Sequence, residues 1–209
     1  PLADGWRLQV HALEQRLKTD DRLAYPYGCS AAGDYRRYCA DGSFDYYAFQ
    51  SDNERRTSRA LQAQLEGTLA TGALRHALAA GVLLTRYRAD LQPRVDDGTV
   101  VGIGNVFGTV PPVATLPALG TAANTNRQER STEVFLRDKV SLSDTLGLWL
   151  GLRHSRIERD SVRTNGSRAT QSSQSFTTPW LAATWQFTPA WMAYGSWGEG
   201  VESEVVTNR

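Results

Sequence analysis

The residues best suited to bind a ligand lie in one short stretch of the chain. Tyrosines and arginines flank the second of its two cysteines: Tyr35, Arg36, Arg37, Tyr38, Tyr46 and Tyr47. Aromatic faces and guanidinium groups suit a bulky, anionic, partly aromatic ligand, because they combine stacking with charge-assisted hydrogen bonds. We therefore interpret these six residues as candidate ligand contacts.

Cys29 and Cys39 are the only cysteines, and they lie in a stretch rich in tyrosine, glycine, aspartate and arginine. No histidine lies nearby to complete a metal site. We favour a local disulfide, which would stabilise so short a loop by somewhat under ~3 kcal/mol and implies an oxidising, extracytoplasmic setting. The alternative is two unrelated thiols.

The sequence gives little support for catalysis, metal binding or nucleic-acid binding. It has no nucleophile motif and no Cys/His metal cluster, and Gly102-Ile-Gly104 lacks the third glycine and the helix of a phosphate-binding loop. His11, His76 and His154 fall on three different predicted strands, and we interpret them as ordinary strand residues. The net charge of +1 removes the electrostatic case for binding nucleic acid. We expect neither an enzyme nor a bound metal.

The hydrophobic pattern predicts that β-strands position these residues. Leucine, alanine and glycine occupy every second position of residues 61–69, and polar residues lie between them. Leu61, Leu65 and Leu69 are also four apart, so an amphipathic helix fits this segment almost as well. Residues 146–152 decide between strand and helix. Leucine occupies every second position there, with glycine or tryptophan between, and this pattern is typical of a strand.

The alternation predicts seven long strands, near residues 4–18, 44–70, 73–91, 124–141, 145–161, 173–187 and 190–203. Their connections alternate in length: very short at 71–73, 142–144 and 188–189, but long at 19–43, 92–123 and 162–172. Short turns at one end and long loops at the other are typical of a transmembrane β-barrel. The composition agrees, because 41% hydrophobic residues occur without an apolar run long enough for a transmembrane helix.

Two features predict how the strands meet the membrane. The leucine face of residues 146–152 would contact lipid, and the charged residues that follow on the same face would lie beyond the bilayer, where they cost little. Trp185, Phe187 and Trp191 crowd a short turn, as in an aromatic girdle at a membrane interface. The alternative is that these three are ordinary core aromatics near a hairpin end.

Three stretches resemble the barrel of TonB-dependent siderophore receptors. Residues 69–81 resemble the hairpin in which Thr-Gly, a histidine and a further glycine bracket a periplasmic turn. Residues 134–153 are similar to the strand pair that ends in Gly-Leu-Arg. Residues 176–200 resemble the Thr-Pro strand, the Thr-Pro turn and the Tyr-x-Ser-x-x-x-Gly strand. Each motif is weak alone, but their order and spacing match over essentially the whole chain.

The resemblance implies an all-β, antiparallel, up-and-down transmembrane barrel segment, with residues 1–209 forming the middle part of a 22-stranded barrel in the outer membrane of a Gram-negative bacterium. It implies TonB-dependent uptake of a ferric siderophore, with iron carried by the siderophore and no cofactor bound directly. The implied partners are TonB-ExbB-ExbD, acting through a plug domain that we do not find here, and outer-membrane lipid with lipopolysaccharide.

Several alternatives stay open. Tyr46 and Tyr47 could belong to an outer aromatic girdle, while Arg36 and Arg37 could contact lipopolysaccharide or solvent. The loop 92–123 is apolar, with Pro111-Pro112 at its centre, so it either folds over the barrel mouth or is a mobile surface loop. The whole chain could instead be a passive or secretory barrel, of the porin or autotransporter type, or a soluble β-sandwich that binds ligands.

Overall fold

The computed structural model describes residues 5–95, 100–108 and 120–201. Their regular secondary structure is β-strand, apart from one 3-10 turn at Ser30–Ala32. The strands are β1 Trp6–Pro26, β2 Ser43–Thr71, β3 Leu74–Asp90, β4 Arg94–Val95, β5 Val100–Asn105, β6 Thr121–Ala122, β7 Thr125–Ser141, β8 Leu146–Arg163, β9 Thr170–Thr188 and β10 Trp191–Gly198. The predicted all-β class is confirmed, as are the seven long strands. The described residues contain no helix of the length and hydropathy needed to cross a membrane.

The long strands build one antiparallel sheet that curls into a half-barrel. Each long strand pairs with its neighbours in the chain, giving the order β1, β2, β3, β7, β8, β9, β10. The short turns fix the β2–β3, β7–β8 and β9–β10 pairings, because so short a connection joins adjacent antiparallel strands. Gly72, in the turn between β2 and β3, has a φ of +62°, which a residue with a side chain rarely adopts.

The strand register brings the leucine positions of neighbouring strands side by side. Leu65 of β2 pairs with Leu8 of β1 and Ala80 of β3, and the row continues through Leu136 of β7 and Leu152 of β8. Leu8, Leu136 and Leu152 are about half exposed, at 50%, 52% and 49%. An apolar row exposed on one face of a curved sheet is typical of a barrel wall whose outside contacts lipid.

Rows like this one form an apolar band across the outer face. On β2 the band covers residues 61–69, the nine positions that a tilted strand needs to cross a bilayer. On β8 it covers residues 146–152, and His154, Arg156 and Glu158 follow on the same face, as predicted. Trp185, Phe187 and Trp191 are 55%, 48% and 68% exposed beside the short β9–β10 turn, so they lie outside any core.

The opposite face of the sheet carries polar side chains that bond to one another. Gln64 accepts a hydrogen bond from Arg137 at 3.2 Å, and Glu66 forms an ion pair with Arg7 at 2.6 Å. Gln64 is buried while the leucines of the outer face are exposed, so the polar face is the concave one. A polar concave face and an apolar outer face match the lumen and lipid sides of a barrel.

Two predicted loop boundaries were wrong. Residues 19–43 do not all form a loop, because β1 continues to Pro26 beside the first half of β2. Residues 162–172 contribute only six residues of connection, 164–169, because β8 and β9 extend further than expected. In both places the regular apolar alternation stops once the strands leave the band, so the sequence pattern fades before the strand ends.

The loop predicted at 92–123 contains three short strands. β5 pairs with the start of β2 and β4 pairs with Gln50 a few residues further along β2, while β6 pairs with β4. The described part of the loop therefore extends the barrel wall alongside β2. Pro111-Pro112, residue 4 of the first predicted strand and residues 202–203 of the last lie outside the described residues.

Candidate ligand-binding surface

β1 and β2 project well beyond the apolar band and carry the candidate ligand contacts at their far end. A bulge breaks their register between Thr19 and Asp21, and Asn53 there has a φ of +57°. Glu54, only 4% exposed, accepts hydrogen bonds from Ser51 at 2.5 Å and Thr19 at 3.2 Å.

Arg56 forms an ion pair with Glu54 at 2.5 Å. Burial opposes ionisation of Glu54, but the hydrogen bonds from Ser51 and Arg56 outweigh it, so the pKa of this carboxyl is lowered. A satisfied, ionised carboxylate therefore fixes the bulge from which the projecting part of the wall rises.

Cys29 and Cys39 form a disulfide with a Cα–Cα distance of 5.1 Å. The loop that it closes is tied to β2: Ser30 donates its backbone N–H to the Asp45 carboxylate at 2.6 Å, and Cys39 donates to the Ser43 carbonyl at 2.8 Å. The loop is therefore held at both ends against the start of the strand that carries the two later tyrosines.

Tyr46 and Tyr47 are adjacent in β2 and so point to opposite faces of the sheet. Tyr46 packs edge-on against Phe44, with 5.1 Å between the ring centroids, and Tyr38 packs on Phe44 with 4.9 Å between them. This outer cluster of Tyr38, Phe44 and Tyr46 serves as a small core for the projecting wall, because Phe44 and Tyr46 are 6% and 9% exposed. The six sequence candidates therefore do not converge on one surface.

Tyr47 is the centre of a second cluster on the lumen-side face. Tyr25 stacks on Tyr47 with 5.9 Å between the ring centroids, and Tyr27 packs edge-on against Tyr47 at a centroid distance of 6.2 Å. Burial, followed by the nearby charge of Asp45 and the neighbouring tyrosines, raises the pKa of Tyr47. Tyr35 is one of those neighbours. We call Tyr25, Tyr27, Tyr35 and Tyr47 the tyrosine face.

The accessible residues of the tyrosine face are those that surround its centre. Tyr47 is buried, whereas Tyr25, Tyr27 and Tyr35 are 38%, 53% and 50% exposed. Ile103 of β5 pairs with Asp45 on the same side and is also exposed. Sequence reasoning did not single out Tyr25 and Tyr27, although their two-residue spacing puts both on one face of an extended chain.

Arg36 and Arg37 lie at the outer edge of the disulfide loop. Arg37 forms an ion pair with Asp34 at 2.6 Å, and Arg36 donates its backbone N–H to the same carboxylate at 2.9 Å. These two hydrogen bonds, that from Arg37 first, lower the pKa of Asp34. The Arg36 guanidinium meets no carboxylate among the described residues, so it is available to an anionic ligand.

The histidines are dispersed, as expected for residues of separate strands. His76 bonds to Asp138 and Thr71, both at 2.7 Å, and His154 bonds to Thr177 at 2.8 Å. Within the described ranges, no three histidine, cysteine or acidic residues are grouped so that they could hold a metal ion.

A curved antiparallel sheet with an apolar outside, a polar inside, short turns at one end and long, structured loops at the other defines a segment of an outer-membrane β-barrel. The family model described as "TonB dependent receptor-like, beta-barrel" matches residues 2–204. The chain belongs to this family, whose members lie in the outer membrane of Gram-negative bacteria. The suspected family is thereby confirmed.

Solved structures with the same fold include three receptors. The siderophore receptor PiuA from Acinetobacter baumannii is 17% identical, with a TM-score of 0.73 over 94% of this chain and 30% of its own. BauA, the ferric preacinetobactin receptor of the same species, is 19% identical, with a TM-score of 0.67 over 93% of this chain and 28% of its own. The ferripyoverdine receptor of Pseudomonas aeruginosa is 14% identical, with a TM-score of 0.68 over 91% of this chain and 24% of its own.

The match is to part of each receptor. The chain covers less than a third of the length of these three structures. No curated protein sequence matches it.

Proposed function

We propose that residues 1–209 are part of the barrel wall of a receptor that takes up ferric siderophores in a TonB-dependent manner. The family membership supports the transport class. The tyrosine face is the observation that supports the ligand: it presents exposed aromatic rings on the lumen side, beyond the membrane, where an incoming ligand passes. Siderophore receptors among the structures of similar fold agree with this ligand class.

The ligand would be recognised by stacking and charge. Tyr25, Tyr27 and Tyr35 offer ring faces and hydroxyl groups, and Arg36 offers a guanidinium to an anionic chelate. Of the sequence candidates, Tyr35, Arg36 and Arg37 remain direct contacts in this proposal, whereas Tyr38, Tyr46 and Tyr47 support the surface through packing. Iron arrives within the siderophore, so the receptor needs no cofactor and performs no covalent chemistry.

The remaining parts of the receptor would supply what this segment does not. A plug domain and TonB-ExbB-ExbD would couple uptake to the inner-membrane proton gradient, and the other strands would close the barrel. A passive pore or a secretory barrel is the alternative class. A complete protein without a plug, showing uptake that is insensitive to loss of TonB, would favour that alternative.

The test is binding of ferric catecholate, hydroxamate and citrate complexes to the complete receptor in detergent. We expect one class to bind, and the triple variant Tyr25→Ala, Tyr27→Ala, Tyr35→Ala to weaken its binding about tenfold or more, since each stacked pair contributes about 0.5–1.5 kcal/mol. Tyr194→Ala, which removes an exposed tyrosine near the short-turn end, is the matched control and should bind normally.

Two results would contradict the proposal. One is a complete receptor that binds none of the ferric complexes. The other is nanomolar binding by the isolated 209-residue chain, because a ligand held between loops and plug should not bind tightly to a third of the barrel.

A further inference from the structure

The projecting wall around the tyrosine face carries more acidic than basic side chains. Residues 19–50 comprise the end of β1, the disulfide loop and the start of β2, and they hold five aspartates against three arginines, with no glutamate or lysine. The neighbouring strand β5, Val100–Asn105, has no charged residue. This part of the wall is therefore negative overall, although the chain as a whole has a net charge of +1.

Two of the three arginines are already paired with carboxylates. Arg22 forms an ion pair with Asp52 at 3.3 Å, and Arg37 forms one with Asp34 at 2.6 Å. Only the Arg36 guanidinium remains for a ligand at this end of the wall. A ligand with several negative charges would meet one available cation and an excess of carboxylates, so the electrostatic energy disfavours it.

The tyrosine face itself offers rings, hydroxyl groups and hydrocarbon. Tyr25, Tyr27 and Tyr35 are exposed, and Ile103, which lies on the same side, is 64% exposed. Asp45 pairs with Ile103 in the sheet, is 5% exposed and accepts the backbone N–H of Ser30, so its negative charge lies beneath the face. A ligand that docks here exchanges water for aromatic and aliphatic surface, which penalises an unpaired anion.

We propose that the siderophore is a hydroxamate whose ferric complex is neutral. Three monoanionic hydroxamates neutralise the ferric ion, whereas three dianionic catecholates leave a triply negative complex, and ferric citrate is also anionic. A neutral complex loses little on leaving water, packs its aliphatic linkers on the rings and accepts hydrogen bonds from the tyrosine hydroxyls and Arg36. This ligand class rests on the proposed function and narrows its ligand from an anionic chelate to a neutral one.

The experiment compares the affinities of four ferric complexes for the complete receptor in detergent. Ferrichrome and ferrioxamine E are neutral hydroxamates, and ferric enterobactin and ferric citrate are anionic. We expect one of the hydroxamates to bind about tenfold or more tightly than either anionic complex. Its affinity should change less than about twofold between low and high salt, because salt screens only charged partners. These measurements use the unaltered receptor.

The outcomes separate this ligand class from the proposed function. An anionic complex that binds as tightly as both hydroxamates overturns the hydroxamate assignment but supports siderophore binding. Hydroxamate binding that weakens steeply with salt also overturns the assignment. Failure of all four complexes to bind overturns the proposed function and the assignment with it.

A charge variant tests whether this wall sets the preference. Ile103→Lys adds a cation beside the tyrosine face and should narrow the preference for hydroxamate over ferric enterobactin about fivefold or more, because it attracts the anionic complex only. Tyr194→Lys adds the same charge at an exposed site near the short-turn end and is the matched control. An unchanged preference in Ile103→Lys, or an equal change in both variants, overturns the proposal.

Discussion

The membrane-spanning wall and the projecting wall are parts of the same strands, yet they are stabilised differently. Within the apolar band the two faces simply alternate, and the leucines of the outer face are exposed, as is typical of a barrel wall that contacts lipid. The bulge at Asn53 lies beyond the band, and past it β1 and β2 are held by the disulfide, the Tyr38–Phe44–Tyr46 cluster and the Glu54 network. The solvent to which a strand is exposed therefore decides what its side chains must do.

The largest loss of stability is expected when a charged side chain is placed in the apolar band. Leu136→Arg places a guanidinium in the middle row of the lipid-facing wall, which should cost about 2–4 kcal/mol. Thr132→Arg, four residues along the same face of β7 and level with the top of the band, should cost about 1 kcal/mol or less. Urea titration of folding into lipid vesicles checks both, and equal costs would show that this face does not contact lipid.

The disulfide should matter in the projecting wall only. Replacing Cys29 and Cys39 with serine should destabilise the loop locally by about 2–3 kcal/mol, because the reduced loop regains chain entropy. Hydrogen exchange of residues 27–42 should accelerate, while exchange in β7 and β8 stays unchanged. Faster exchange throughout the barrel would show that the two regions are not independent.

A smaller loss is expected at the bulge. Glu54→Gln removes a buried carboxylate that accepts hydrogen bonds from Ser51, Thr19 and Arg56, and should destabilise the projecting wall by about 1–2 kcal/mol near neutral pH. Asp144→Asn, on a side chain that is 93% exposed, is the control and should have no measurable effect.

The effect of Glu54→Gln should depend on pH. Because the folded-state pKa of Glu54 is lowered, its contribution is present above the unfolded-state pKa and is lost as the pH falls through the folded-state value. Parent and variant should therefore converge in acid when local exchange is measured from pH 7 downward. A difference in local exchange between parent and variant that grows as the pH falls would contradict the lowered pKa of Glu54.

The least effect is expected at the rim of the disulfide loop. Asp34→Asn removes an exposed ion pair with Arg37, and such pairs contribute little to stability; the amide oxygen of asparagine can still accept the backbone N–H of Arg36. Local exchange should stay within experimental error. A marked loosening of the loop would mean that this ion pair stabilises it more than an exposed pair should.

The sequence predicted the membrane-spanning wall well because its two solvents impose strict alternation. Residues 61–69 and 146–152 show that pattern, and the structure places both in the band. The projecting wall was harder to predict, since residues 19–26 form a strand without apolar alternation. Its pairing depends on β2, a partner distant in the chain.

The candidate site was predicted only in part, for a related reason. Sequence proximity grouped Tyr46 with Tyr47, but adjacent strand residues point to opposite faces. The bulge at Asn53 shifts the alternation of β2, so the inward face above it could not be traced from the band below. Tyr25 and Tyr27 join Tyr47 only through the β1–β2 register, which local sequence does not encode.

The most direct test of the difference between the two regions is oxygen accessibility along β2 of the complete receptor in lipid vesicles, using single spin labels at residues 44–69. Labels at 61, 63, 65, 67 and 69 should be accessible to oxygen and those between them should not, giving a period of two. Above Arg59 the lipid signal should vanish and a water-soluble relaxant should replace it at exposed sites. A period of two in oxygen accessibility that continues to residue 44, or none within 61–69, would contradict the placement of the membrane on this wall.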